Sequence, residues 1–166
     1  MKYGVILIAL IIGLSACTNK TTQHDQENIQ LVKNYIKAVE HLNFEAMAAY
    51  LDDDYLGMGP SYGDSINKID AVASWSWSLK YLYKEIKYDR SRFAAVTIPD
   101  GDNAGHWVAN WAELTITYKD GMGEATIWAN TNYLVKNGKI VRSLTFYNEA
   151  DVLRQIGYKI VPDGDI

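Results

Sequence analysis

The chain has 166 residues, of which 48% are hydrophobic and 22% are charged, and its formal net charge is −4. This length fits one domain with a sizeable core and argues against two. The single cysteine excludes an internal disulfide, and the acidic balance offers no surface for phosphates, so we expect no nucleic-acid partner.

The N-terminus has the layout of a secretory signal peptide. Lys2 precedes an apolar run over residues 4–14, which is shorter than the roughly 20 residues that a membrane-spanning helix needs. The tetrad Leu14-Ser15-Ala16-Cys17 resembles the bacterial lipobox. That resemblance implies a signal peptide over residues 1–16 and a lipidated Cys17 as the first residue of the mature protein. An ordinary signal peptide and an uncleaved anchor are the alternatives.

Lipidation would place the protein in the cell envelope, with its domain outside the cytoplasm and the lipid bilayer as a partner. Lipobox proteins carry more than one acyl chain, which gives stable anchoring. Thr18 stands where an Asp commonly retains lipoproteins in the inner membrane, which favours the outer membrane if the cell has one. Residues 17–27 are polar and lack periodicity, so we predict a flexible tether in which His24 is solvated.

The domain proper is predicted to span residues 28–166 and to begin with helices. Asn43 is a predicted N-cap for a short helix over residues 44–51, and Asn67 with Asp70 forms a capping box for a third helix that reaches about Tyr83. The first helix is predicted from apolar residues at helical spacing: Ile29, Val32, Ile36 and Val39.

The second half of the chain alternates as strands do. Residues 107–118, 125–135 and 140–147 predict an antiparallel meander with turns at Asp120-Gly121 and Asn137-Gly138, and residues 86–98 predict a less regular strand. Helices followed by a meander indicate an α+β domain. We expect the helices to pack on a curved antiparallel sheet and to leave a cone with an opening, a natural ligand cavity.

This order of elements resembles the SnoaL-like branch of the nuclear transport factor 2-like (NTF2-like) superfamily. The closing segment carries most of the resemblance: the Gly138-Lys139-Ile140 strand start, then a short helix with Leu153, Gln155 and Gly157. Residues 50–54 (Tyr-Leu-Asp-Asp-Asp) also resemble the segment that ends the second helix of that family. The resemblance covers residues 28–158. The superfamily includes cyclases, isomerases, hydrolases, dehydratases and binders without chemistry, so it does not supply the function.

The acidic groups that the family's isomerases and cyclases use have no counterpart here. By the resemblance, Tyr35 falls on the family tyrosine of the first helix, while the isomerase base would stand at Gly59, which has no carboxylate. The acid–base aspartate of the cyclases would stand at Asn148, and an amide exchanges no proton at neutral pH. Glu149 is expected on the opposite face, and Asp151 is expected to cap the closing helix.

Dehydratase-like chemistry would need a histidine with an acidic partner. His106 is the best candidate for a general acid or base, with Asp54 or Glu113 as the carboxylate. Alternatively, His106 is only a polar residue at a strand end, and Asp54 belongs to a solvated helix end. His41 suits the negative end of the first helix. Three scattered histidines and a lipidated cysteine show no metal-ligand spacing, so we predict neither metal nor cofactor.

The remaining candidates are neutral and aromatic. Trp107 and Trp111 share a strand face, with Trp128 beside them, which predicts packing or a homodimer surface, or else an aromatic ligand platform. Trp75 and Trp77 cannot share a helix face. The leading hypothesis is an envelope protein that binds a small apolar organic ligand. The alternatives are a SnoaL-type lyase, isomerase or hydrolase, and a module that docks a protein. The expected pocket residues are Tyr35, Tyr55, Trp75, Asn110, Tyr133 and Asn148.

Overall fold

The structure is a computed structural model that describes residues 19–159 and residue 161. The predictions for the signal peptide and for lipidation at Cys17 lie outside the described residues. The helices are α1 (Asn19–Glu40), α2 (Phe44–Tyr50), α3 (Lys68–Tyr81) and α4 (Glu149–Gln155). The strands are β1 (Leu51–Met58), β2 (Ser65–Asn67), β3 (Tyr83–Ile98), β4 (Gly105–Tyr118), β5 (Glu124–Lys136) and β6 (Lys139–Phe146).

The strands form one curved, open sheet in the order β2-β1-β6-β5-β4-β3. Neighbouring strands are antiparallel, except that β1 and β6 are parallel. The sequence did not predict this parallel pairing. The register of β3 on β4 shifts between Asp89 and Arg92, and such a bulge bends and twists a strand. The helices pack on the concave face, so the predicted α+β cone is confirmed.

Asparagine side chains begin three of the helices. Asn43 accepts a hydrogen bond from the Ala46 N–H at 2.9 Å, and Asn67 accepts one from the Asp70 N–H at 2.9 Å. Asn148 does the same for the Asp151 N–H at 3.1 Å. Each bond satisfies a backbone donor that the first turn leaves free. The predicted caps of α2 and α3 are therefore confirmed.

The first helix begins earlier than predicted. α1 starts at Asn19, so the predicted flexible tether is wrong from that residue onward. One side-chain bond supports the early turns, because Gln23 Nε2 donates to Glu27 Oε1 at 3.1 Å. His24 is not isolated either, since its ring stacks on that of His106 with 4.8 Å between centroids. His24 stays exposed to solvent, as expected, but it also makes a tertiary contact.

The core lies between α1 and the concave face of the sheet. Its largest fully buried apolar side chains are Leu51, Ile140, Val32 and Val108, each less than 2% exposed. Burying such a side chain contributes about 1.5–3 kcal/mol, so these contacts fix α1 against the sheet. None of the described helices combines the length and the apolar character needed to cross a membrane.

Candidate ligand-binding site

Four tyrosines and a tryptophan surround a chamber of about 240 Å³ between the helices and the concave face. Tyr35 comes from α1, Tyr55 from β1, Tyr88 from β3 and Tyr133 from β5, while Trp75 comes from α3. The register between the strands, together with alternation along each strand, places the three strand tyrosines on the same side of the sheet. We call this space the inner chamber.

A wider space of about 680 Å³ adjoins the inner chamber, and we call it the outer chamber. Apolar side chains of α3, β4, β5 and α4 form most of its wall, among them Leu79, Leu114, Ile127 and Val152. The two chambers share Val39, Met47, Gly59, Trp75, Tyr88, Thr131 and Thr145 as lining residues. They therefore form one cavity with a narrow and a wide part.

The Tyr35 ring contacts two other aromatic rings that line the inner chamber. Its centroid is 5.7 Å from that of Tyr133 and 6.3 Å from that of Trp75, which are distances typical of edge-to-face and tilted aromatic pairs. The hydroxyl of Tyr55 is 2.7 Å from Ser143 Oγ. The Tyr35 and Tyr88 hydroxyls make no hydrogen bond within the described part of the chain, so both can bond a ligand.

Burial keeps these phenols protonated. It raises the pKa of Tyr35 and of Tyr133 well above the ordinary value, and the neighbouring phenols add to the effect. Burial and then the charge of Glu40 raise the pKa of Tyr88 to about 12. At neutral pH these groups are uncharged donors and acceptors, and none of them is a base.

Glu149, at the exposed mouth, is the only acidic side chain among the described lining residues, and these include no histidine, lysine or arginine. A charged ligand group inside would therefore lose its hydration without a partner of opposite charge. The described residues contain no group of three potential metal ligands. The arrangement suits an uncharged ligand that is mostly apolar and carries a hydrogen-bonding group.

Gly59 stands where the resemblance would place an isomerase base. A Cβ built on it would lie 2.2 Å from the carbonyl oxygen of Thr145, and its φ is +90°. No side chain fits this backbone at that contact. The geometry agrees with the rejection of isomerase-type proton transfer at this position.

The structure brings four of the six expected pocket residues together, namely Tyr35, Tyr55, Trp75 and Tyr133. Asn110 faces the same side but lies outside the described lining, and its buried amide donates to the Arg92 carbonyl at 3.3 Å. The expectation for Asn148 is wrong, since this residue caps α4 and is exposed. A side chain committed to a cap cannot also face the cavity.

The candidate acid–base residues are not brought together. His106 lies outside the described lining of both chambers and contacts Thr97 Oγ1 through Nδ1 at 3.1 Å. Asp54 is exposed on β1, three strand spacings or roughly 14 Å from β4. Glu113 lies on the convex face and pairs with Arg90 at 3.1 Å. His106 therefore meets neither carboxylate.

The sequence did not identify Tyr88, Thr131 and Thr145 as lining residues. Thr131 could have been found, because it is two residues from Tyr133 on one strand and shares its face. Tyr88 could not, because the register shift between Asp89 and Arg92 reverses which residues of β3 face inward. Thr145 could not be found either, because only the pairing of β5 with β6 places it beside Thr131.

The convex face carries an aromatic patch of Trp111, Trp128 and Phe146, all exposed, with Trp128 at 65%. Asn130 pairs with both Trp111 and Phe146, so the patch crosses three strands. Trp107 is not part of it, because that side chain is buried and its indole N–H donates to the Asn103 carbonyl at 2.8 Å.

Known structures share this fold at low sequence identity. A candidate polyketide cyclase from Xanthomonas campestris is 15% identical with a TM-score of 0.64, over 80% of this chain and 98% of the other. An NTF2-like protein from Burkholderia xenovorans is 18% identical with a TM-score of 0.62, over 80% and 98%. A LEH-like epoxide hydrolase from M. tuberculosis is 13% identical with a TM-score of 0.58, over 80% and 91%. No protein-family model and no curated protein sequence matches the chain.

Proposed function

We propose that this chain, whose fold is that of the SnoaL-like and NTF2-like proteins, is a lipid-anchored envelope protein that binds a small, uncharged and mostly apolar organic molecule. The observation that carries the proposal is the cavity itself. It is large, its wall is mostly apolar, and, apart from Glu149, the polar groups of its side chains are uncharged. Ligand sites commonly combine such a wall with a few placed hydrogen-bonding groups.

The inner chamber supports a specific orientation of the ligand. The free hydroxyls of Tyr35 and Tyr88 lie there, whereas the outer chamber is lined mostly by aliphatic and aromatic side chains. A ligand that places its carbonyl or hydroxyl group in the inner chamber and its apolar body in the outer chamber would satisfy both surfaces. Catalysis is not part of the proposal, because no acid–base pair lines the described cavity.

Binding can be tested with N-phenyl-1-naphthylamine, an uncharged dye that fluoresces in apolar surroundings. We expect saturable fluorescence with the wild type and at least a tenfold weaker affinity for Ala129→Phe, whose ring would occupy the outer chamber. Val96→Phe adds the same ring at an exposed position of β3 and should bind the dye normally. Equal binding by all three proteins, or no saturable binding, would refute the cavity as the site.

Anchoring has a separate test. We propose that Cys17 carries the acyl chains and that the outer membrane holds the protein where the cell has one. The N-terminal peptide of the protein from its native membrane should have the mass of a diacylglyceryl, N-acylated cysteine. A chain of residues 18–166, which lacks both Cys17 and the apolar run, should remain in the aqueous phase on detergent partition. An unmodified N-terminus that begins before residue 17 would overturn this part.

We also propose that the convex face pairs two copies of the chain. The patch of Trp111, Trp128 and Phe146 is exposed and apolar, and such patches commonly mark protein interfaces. Sedimentation of a chain of residues 18–166 should give a dimer, and Trp128→Asp in that chain should give a monomer with an unchanged circular dichroism spectrum. A wild-type monomer at high concentration would count against the pairing and would favour docking of another protein.

A further inference from the structure

Helix α3 carries an exposed apolar stripe on the side that faces away from the sheet. The stripe consists of Ile69, Ala73, Trp77 and Tyr81, spaced four residues apart, and its three large members are 80%, 58% and 51% exposed. Residues four apart lie on one side of a helix. The opposite side of the same helix, including Trp75 and Leu79, lines the cavity.

The stripe begins at the same end of the sheet as the start of α1. His24 of α1 stacks on His106, and the sheet pairs His106 with Val135, Val135 with Ile140 and Ile140 with Leu51. The Leu51 carbonyl accepts a hydrogen bond from Lys68 Nζ at 3.1 Å, and Lys68 is the first residue of α3. Ile69 is therefore level with the early turns of α1.

Cys17 is two residues before the start of α1, and two residues span about 7 Å at most. A lipid on Cys17 would thus hold this end of the domain close to the bilayer, where the effective concentration of the membrane surface is high. The stripe extends from there by about 18 Å, at about 1.5 Å per residue, towards the C-terminal end of α3, where Ser78 and Leu79 line the outer chamber.

The composition of the stripe also suits a bilayer surface. Tryptophan and tyrosine are enriched where lipid headgroups meet the hydrocarbon region. Lys80 extends its amine to 5.0 Å from the centre of the Tyr81 ring. Neither Lys80 nor Lys84 forms an ion pair within the described chain, so both can meet anionic headgroups. The one carboxylate of α3, that of Asp70, accepts a hydrogen bond from the side chain of its N-cap, Asn67.

We propose that this stripe of α3 lies in the headgroup region of the membrane that anchors the protein, so that the cavity mouth opens at the lipid surface. The ligand would then pass between the bilayer and the cavity along α3. The convex aromatic patch faces the other way and stays available for the second copy. This inference rests on the proposed lipidation of Cys17.

The test uses the acylated full-length protein in vesicles of phosphatidylethanolamine and phosphatidylglycerol whose acyl chains carry bromine, a quencher of tryptophan fluorescence. We expect quenching in the wild type, loss of most of it in Trp77→Phe, and full retention in Trp111→Phe, the matched change on the convex face. Raising the salt concentration should weaken quenching less in a Lys80→Gln, Lys84→Gln chain.

Quenching that persists in Trp77→Phe, or that disappears in Trp111→Phe instead, would overturn the inference, as would no quenching in the wild type. The mass of the N-terminal peptide and the binding of N-phenyl-1-naphthylamine are measured on the same preparation. An acylated protein that binds the dye but shows no quenching at Trp77 refutes this inference alone. A protein without acylation or dye binding refutes the proposed function.

Discussion

The two faces of the sheet use aromatic residues in different ways. The concave face and the helices on it enclose tyrosines, whose hydroxyls are buried with the rings and face a cavity. The convex face exposes tryptophans and a phenylalanine at the surface. Strand β5 supplies both sets by alternation, with Tyr133 on the concave face and Trp128 on the convex face. The comparison shows two surroundings for aromatic residues in one sheet, an enclosed cavity on the concave face and solvent on the convex face.

The largest expected difference between the faces is in stability. Tyr133→Ala removes a buried ring that contacts Tyr35 and should lower the free energy of unfolding by about 3–5 kcal/mol. Trp128→Ala removes an exposed ring and should lower it by less than about 1 kcal/mol. Urea unfolding of both variants checks this. Similar losses would mean that the convex face is as tightly packed as the concave one.

The second prediction concerns the close contact between Gly59 and the backbone of Thr145 in the cavity wall. Gly59→Ala combines a φ of +90° with a clash against the Thr145 carbonyl and should destabilise by about 2–3 kcal/mol. Gly63→Ala has the same φ but open space around it and should lose only about 1 kcal/mol. Thermal unfolding of the pair measures the difference, and equal losses would show that the wall relaxes freely at Gly59.

The buried tyrosines should also make stability depend on pH. An unfolded tyrosine loses its proton near pH 10, whereas the folded chain raises the pKa of Tyr88 to about 12. Between these values the folded state binds more protons, so the free energy of unfolding falls as pH rises, by about 1.4 kcal/mol per pH unit for this group. The contribution is complete below pH 10. Urea unfolding between pH 9 and 12 should show a shallower fall for Tyr88→Phe, and an identical slope would contradict the pKa.

The smallest effect is expected on the convex face. Glu113 forms a surface ion pair with the largely exposed Arg90, and such pairs contribute less than about 1 kcal/mol. Glu113→Gln should therefore leave the unfolding midpoint and the binding of N-phenyl-1-naphthylamine almost unchanged. A clear loss of dye binding in this variant would support a role for Glu113 at the ligand site, as the sequence suggested. It would also contradict the assignment of ligand binding to the concave face alone.

Local rules in the sequence determined most of the fold. The caps at Asn43 and Asn67, the meander turns at Asp120-Gly121 and Asn137-Gly138, and the alternation that turns Tyr133 inward all depend on residues close together in the chain. These features predicted the order of the elements, the α+β class and four of the pocket residues. The fold resemblance drawn from the closing segment is confirmed, while lipidation and dimerisation stay predictions.

Tertiary structure decided what depends on residues far apart in the chain. The parallel pairing of β1 with β6, the reversed facing of Tyr88 beyond the bulge in β3, and the contact of His24 with His106 have no local signal. Asn148 shows the same limit, because its amide suits a pocket or a cap equally well until α4 forms beside it. Periodicity gives each residue a side of its own element, and only packing decides what that side meets.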